Sequence, residues 1–165
     1  MRKYIALVLA LAGALGLAGC SAADGENSPV ILEKPPALTV VCGQAETDAL
    51  PGSYSWQLEN ADGTTTNIIA DGAHPLDCRD LLSPLETTEA TAELSFLEEP
   101  DSIVNVQCWS DEHWSEPAAD SEAVSVNGST MELKSGGYIY EIAAQWDMKD
   151  GYGGTARYSV YIRAA

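Results

Sequence analysis

The sequence predicts an all-β fold, an antiparallel β-sandwich of about eight short strands. Three observations carry this expectation. Apolar and polar residues alternate with period two in several short runs, the spacing at which a strand presents one face to a core and the other to water. Turn residues recur roughly every 8–12 positions, the rhythm of a sandwich. The only helix signal is the brief stretch Leu76–Leu82, with Pro75 and Asp77 near its start.

The elements follow in order from residue 37. Leu38-Thr39-Val40-Val41-Cys42 is short and rich in β-branched residues, and Gly43 closes it. Tyr54, Trp56 and Leu58 alternate with Ser53, Ser55 and Gln57, and Asn60-Ala61-Asp62-Gly63 turns the chain into Thr64–Ala70. Ala92, Leu94 and Phe96 alternate with Thr91, Glu93 and Ser95. After the Pro100-Asp101 turn, the alternation in Ile103–Trp109 puts Val104, Val106 and Cys108 on one face. Asn127-Gly128 between two short apolar stretches is a strong hairpin signal. Tyr138, Tyr140, Ile142, Ala144 and Trp146 share one face of a long strand. A Gly-rich loop, Lys149–Gly154, leads to a last strand in which Ala156, Tyr158, Val160 and Ile162 alternate with Arg157, Ser159, Tyr161 and Arg163. Leu133 and Gly137, the Tyr-led strand, the Gly loop and the final Tyr-containing strand together resemble the last two strands of bacterial immunoglobulin-like domains. That resemblance implies an immunoglobulin-like sandwich.

The N-terminus carries an address. Arg2 and Lys3 precede an apolar run, Ile5 to Leu17. At about 13 residues it is too short for a bilayer span of roughly 20 helical residues, yet suited to a signal peptide. It ends in Leu17-Ala18-Gly19-Cys20, which resembles the lipobox of bacterial lipoproteins. The resemblance implies cleavage before Cys20 and lipidation of its thiol, usually followed by acylation of the new amino terminus. The expected organisation is a signal peptide at 1–19, a lipidated tether at 20–36 rich in small, polar and Pro residues, and a β-sandwich domain at 37–165. The mature part also resembles small Gram-positive lipoproteins, a resemblance that implies no activity. The expected location is the cell membrane, lipid-anchored, facing the extracellular or periplasmic side.

Charge limits the partners. The chain holds 8 Lys+Arg against 25 Asp+Glu, a formal net charge of -17. Both basic residues of 1–19 leave with the signal peptide, so the mature chain carries 6 against 25, or -19 over 146 residues. Such a surface repels phosphate backbones, which excludes nucleic acid as a partner. It also stands off from anionic lipid, so the membrane is reached through the anchor alone. Macromolecular partners are expected to be a basic protein or peptide, or a glycan.

With Cys20 assigned to lipid, Cys42, Cys78 and Cys108 remain in a disulfide-permissive compartment. The alternation makes Cys108 a small buried hydrophobe. Cys42 at a strand end and Cys78 in a turn-rich loop are the expected disulfide, with Cys42–Cys108 as the rival pairing.

No catalytic set emerges. His74 and His113 stand alone, without a second ligand at a zinc-like spacing, and no twelve-residue calcium loop is present. Neither a nucleophile elbow nor a Ser-x-x-Lys motif occurs. The expectation is therefore no enzyme, no metal and no cofactor. The most suggestive segment is Trp109–Pro117, in which Trp109 and Trp114 flank Asp111, Glu112 and His113. Exposed rings stack on sugars or cations and carboxylates accept hydroxyl hydrogen bonds, so Trp109, Asp111, His113 and Trp114 are the candidate ligand-binding residues. The sequence thus points to a membrane-anchored, surface-exposed lipoprotein acting as a non-catalytic binding or interaction module. The alternatives are an accessory or hydrolytic enzyme acting on an extracellular polymer, or a siteless structural spacer.

Overall fold

A computed structural model describes residues 31–165; the expected signal peptide, Cys20 and most of the tether lie outside the described residues. Twelve strands form two sheets packed face to face. In chain order they are β1 (Leu38–Cys42), β2 (Ala45–Asp48), β3 (Leu50–Glu59), β4 (Thr65–Ala70), β5 (Pro84–Thr87) and β6 (Thr91–Phe96), followed by β7 (Ser102–Ser110), β8 (Glu122–Ala123), β9 (Val126–Asn127), β10 (Thr130–Glu132), β11 (Gly136–Lys149) and β12 (Tyr152–Ala164). The smaller sheet has the order β2-β1-β6-β10-β9, and the larger has β4-β3-β12-β11-β7-β8. All pairings are antiparallel except β5, which runs parallel to the end of β12. The predicted all-β sandwich is what the chain forms. The extra strands beyond the expected eight are short edge pieces, and the anticipated helix is a single 3-10 turn at Pro75–Asp77.

Period-two alternation fills the space between the sheets. Leu38, Val40 and Cys42 from β1 and Ala92, Leu94 and Phe96 from β6 meet Tyr140, Ile142, Ala144 and Trp146 from β11 and Tyr158, Val160 and Ile162 from β12. Residues between them in sequence point away, as the pleat requires. One expectation fails within β7. Asn105 pairs with Ala143 and Ile103 with Ala144, so one extra residue, Val104, is squeezed into a bulge. Val104 is consequently 60% exposed, not on the core face with Val106 and Cys108.

A second apolar cluster covers part of the outer face of the larger sheet. Ile139, Trp109 and Tyr161 point outward from β11, β7 and β12, and Leu76, Cys78 and Leu82 from the β4–β5 connection close over them. Here the alternation is genuine, but both faces of the sheet are buried.

This layering corrects the disulfide expectation. Cys42, Cys78 and Cys108 are all buried free thiols. Cys42 belongs to the cluster between the sheets, whereas Cys78 belongs to the cluster outside the larger sheet. A whole sheet separates the expected partners. Cys42 and Cys108 share the inner core, but they are likewise unbonded. Burial pushes the Cys108 thiol up to about 11.

Candidate functional site

At one end of the sandwich β7 runs into a 3-10 turn, Asp111–His113, begun by the Ser110 side chain, which accepts from the Glu112 amide. The turn aims the Asp111 carboxylate back at β12. Asp111 Oδ2 accepts a 2.6 Å hydrogen bond from the Tyr161 hydroxyl, and Arg163 Nε donates to the same hydroxyl at 2.6 Å. The Arg163 guanidinium lies 3.7 Å from Asp111 and 3.6 Å from Glu86 on β5, and also sits over the Tyr161 ring. Burial, then the Asp111 bond, raises the Tyr161 pKa above the usual phenol value. The approach of Asp111 requires Gly137 on β11, where any Cβ would collide with the carboxylate.

The four candidate residues from the sequence are therefore neighbours with different roles. Trp109 is buried, and its indole donates to the Ala119 carbonyl at 3.1 Å. Trp114 packs edge-on against Tyr161, with ring centroids 5.4 Å apart. Both rings belong to the outer apolar cluster rather than to an open platform. Asp111 is engaged with Tyr161 and Arg163, while His113 Nδ1 lies 2.9 Å from Glu116. His74, the other histidine, accepts from the Leu76 amide and begins the first 3-10 turn. Among the described residues, no three His, Cys, Asp or Glu side chains are grouped so as to hold a metal ion.

Beside this network opens a cleft of about 730 Å³, between the β1–β2 turn of one sheet and the ends of β5, β11 and β12 of the other. Gln44, Glu86, Thr87, Glu89, Gly137 and Arg163 line it. The Glu89 carboxylate lies close to Gly43 at the rim. Arg163 joins the cleft to the Asp111 network. No local sequence pattern marks Tyr161, Arg163, Glu86 or Glu89 as a group. The available signal was the outward pair Tyr161 and Arg163 on the last strand, but nothing local linked it to Asp111, fifty residues away.

A second feature lies on the uncovered part of the larger sheet's outer face. Two shallow grooves of about 410 and 320 Å³ share Ser55 and Thr155, so they form one strip across the sheet. The pairing register aligns Ile69, Ser55, Thr155, Gln145 and Ser102 in one row across β4, β3, β12, β11 and β7.

The fold defines an all-β sandwich. No protein family, curated protein or solved structure matches the chain.

Proposed function

We propose that this chain is a membrane-anchored, surface-displayed lipoprotein that acts as a non-catalytic binding module, taking a basic protein or peptide at the end cleft. The observation that carries the reading is the charge balance of that cleft. Its one cation, Arg163, is already flanked by Asp111 and Glu86, and Glu89 stands at the rim with no ion-pair partner among the described residues. An open cleft with surplus carboxylate, on a chain of net charge -17, attracts cationic groups. The hydrogen bonds around Tyr161 hold Arg163 in place, so the carboxylates meet a partner from a fixed frame.

The test is titration of the full chain, in detergent, with a fluorescent oligolysine peptide at low and moderate salt. Binding should weaken as salt rises, because screening shortens the field to about 10 Å at 0.1 M. Glu86→Gln with Glu89→Gln should weaken it about tenfold. Salt-independent binding, or binding untouched by these changes, overturns the reading. For the anchor, Cys20→Ala should release the protein from the membrane or leave it unprocessed, and normal membrane retention of that variant defeats the lipoprotein assignment.

A further inference from the structure

The outer strip of the larger sheet sets neutral polar side chains in register across several strands. In a protein with 25 acidic residues, the five-residue row Ile69, Ser55, Thr155, Gln145 and Ser102 carries none. Gln57 and Asn67, paired with each other one row further on, add two more neutral amides. Asp71 lines the groove at one end and Asp147 at the other. The nearest internal charges, Arg157 and Glu141, neutralise each other at 2.6 Å.

We propose that this strip is a binding site for an extended, uncharged glycan. It stands apart from the end cleft and does not depend on it. Ser and Thr hydroxyls and Gln and Asn amides each offer both donors and acceptors, matching the mixed character of sugar hydroxyls. Side chains of Ser55, Gln57 and Thr155 make no side-chain hydrogen bond among the described residues, so they are free to bond a ligand. Gln145 donates to Asp147 at 3.0 Å, which orients its amide at the groove edge. Adjacent strands lie about 4.8 Å apart, so the row presents hydrogen-bonding groups at regular steps, as an extended polymer presents its sugar units. Ile69 and Val104 are 73% and 60% exposed and provide the apolar surface on which the C–H faces of sugars rest.

Gly154, paired with the inward-facing Trp56, lets β12 approach β3 closely beneath the strip. Its φ of +146° is open to glycine, and a Cβ there would run into the Ser55 carbonyl. Charge selects among occupants. A polyanion or a second copy of this chain is repelled by the net negative field, and a polycation meets carboxylates only at the two ends of the strip, Asp71 and Asp147. A neutral polyol is indifferent to that field.

The test is native affinity electrophoresis of the full chain in detergent gels containing hydroxyethyl cellulose or dextran, with carboxymethyl cellulose as the charged control. At least one neutral polymer should retard the protein, equally at low and moderate salt. Gln145→Ala with Thr155→Ala should reduce the retardation at least tenfold, as should Gln57→Ala with Ser55→Ala. Every one of these side chains reaches the surface, and an unchanged melting temperature confirms folding in whichever pair is scored. Glu86→Gln with Glu89→Gln should leave retardation unchanged, which keeps this result separate from the oligolysine titration. Absence of retardation by both neutral polymers, equal retardation by carboxymethyl cellulose, or retardation indifferent to both paired changes overturns the proposal.

Discussion

The indoles of Trp56 and Trp146 meet edge to face in the centre of the sandwich, with centroids 5.6 Å apart and planes at 69°. Each also sends its N–H out of the core. Trp56 donates to the Leu32 carbonyl at 2.7 Å, and Trp146 to the Glu98 carbonyl at 3.1 Å. The two rings therefore fill the interior and also pin the lead-in segment and the β6–β7 turn. Phe96 and Tyr152 complete the aromatic group, against Trp146 and Trp56 respectively.

Trp146→Ala should lower stability by about 3–5 kcal/mol, the range for losing a large buried ring, measured by urea unfolding. A loss under about 1 kcal/mol would mean that the ring does not face the core.

The thiols give a second outcome. Cys42, Cys78 and Cys108 should resist a thiol reagent in the native protein and react together on unfolding, because burial raises all three pKa values and thiolate is the reactive form. Non-reducing peptide mapping should find no bridge among them. A Cys42–Cys78 disulfide peptide would refute the arrangement of the two clusters.

Gly137→Ala should destabilise by roughly 1–3 kcal/mol, since the added methyl meets a carboxylate that is itself held by Tyr161. Adding Asp111→Ala should recover part of the loss, a non-additivity read from a double-mutant cycle. In the single variant the Tyr161 titration should also shift down, because the Asp111 contact that helps to raise it is displaced.

Acid should loosen the β11–β12 hairpin at its loop end. The Asp101 carboxylate accepts from the Asp147 amide at 2.9 Å and from Lys149 at 3.0 Å, and in that order these lower its pKa. A depressed carboxylate pKa contributes stability above its unfolded value, and the contribution is lost as pH falls through the folded value. The difference in urea midpoint between the wild type and Asp101→Ala should thus be full at neutral pH and shrink below the ordinary carboxylate range. A difference independent of pH would show that the carboxylate charge plays no part.

Much of the architecture is legible along the chain because a strand's faces are set by neighbours two residues apart. The core faces of β1, β6, β11 and β12 follow directly from that spacing, and the Asn127-Gly128 turn does join β9 to β10. Val104 escapes the rule because a bulge depends on the partner strand, and only the register against Ala143 and Ala144 reveals it. Trp109 is buried and Trp114 half-buried because a loop from elsewhere in the chain packs over this face, which their local pattern does not specify.

Composition and near-neighbour spacing are enough to specify the all-β class, the strong negative charge and the alternation that builds the inner core. The long-range pairing of strands and loops supplies the rest. It puts Cys42 and Cys78 on opposite sides of a sheet, joins Asp111 to Tyr161 and Arg163 across fifty residues, and aligns Ser55, Thr155 and Gln145 in one neutral row. These are relations between distant segments, and strand order and register, which no local pattern specifies, place them.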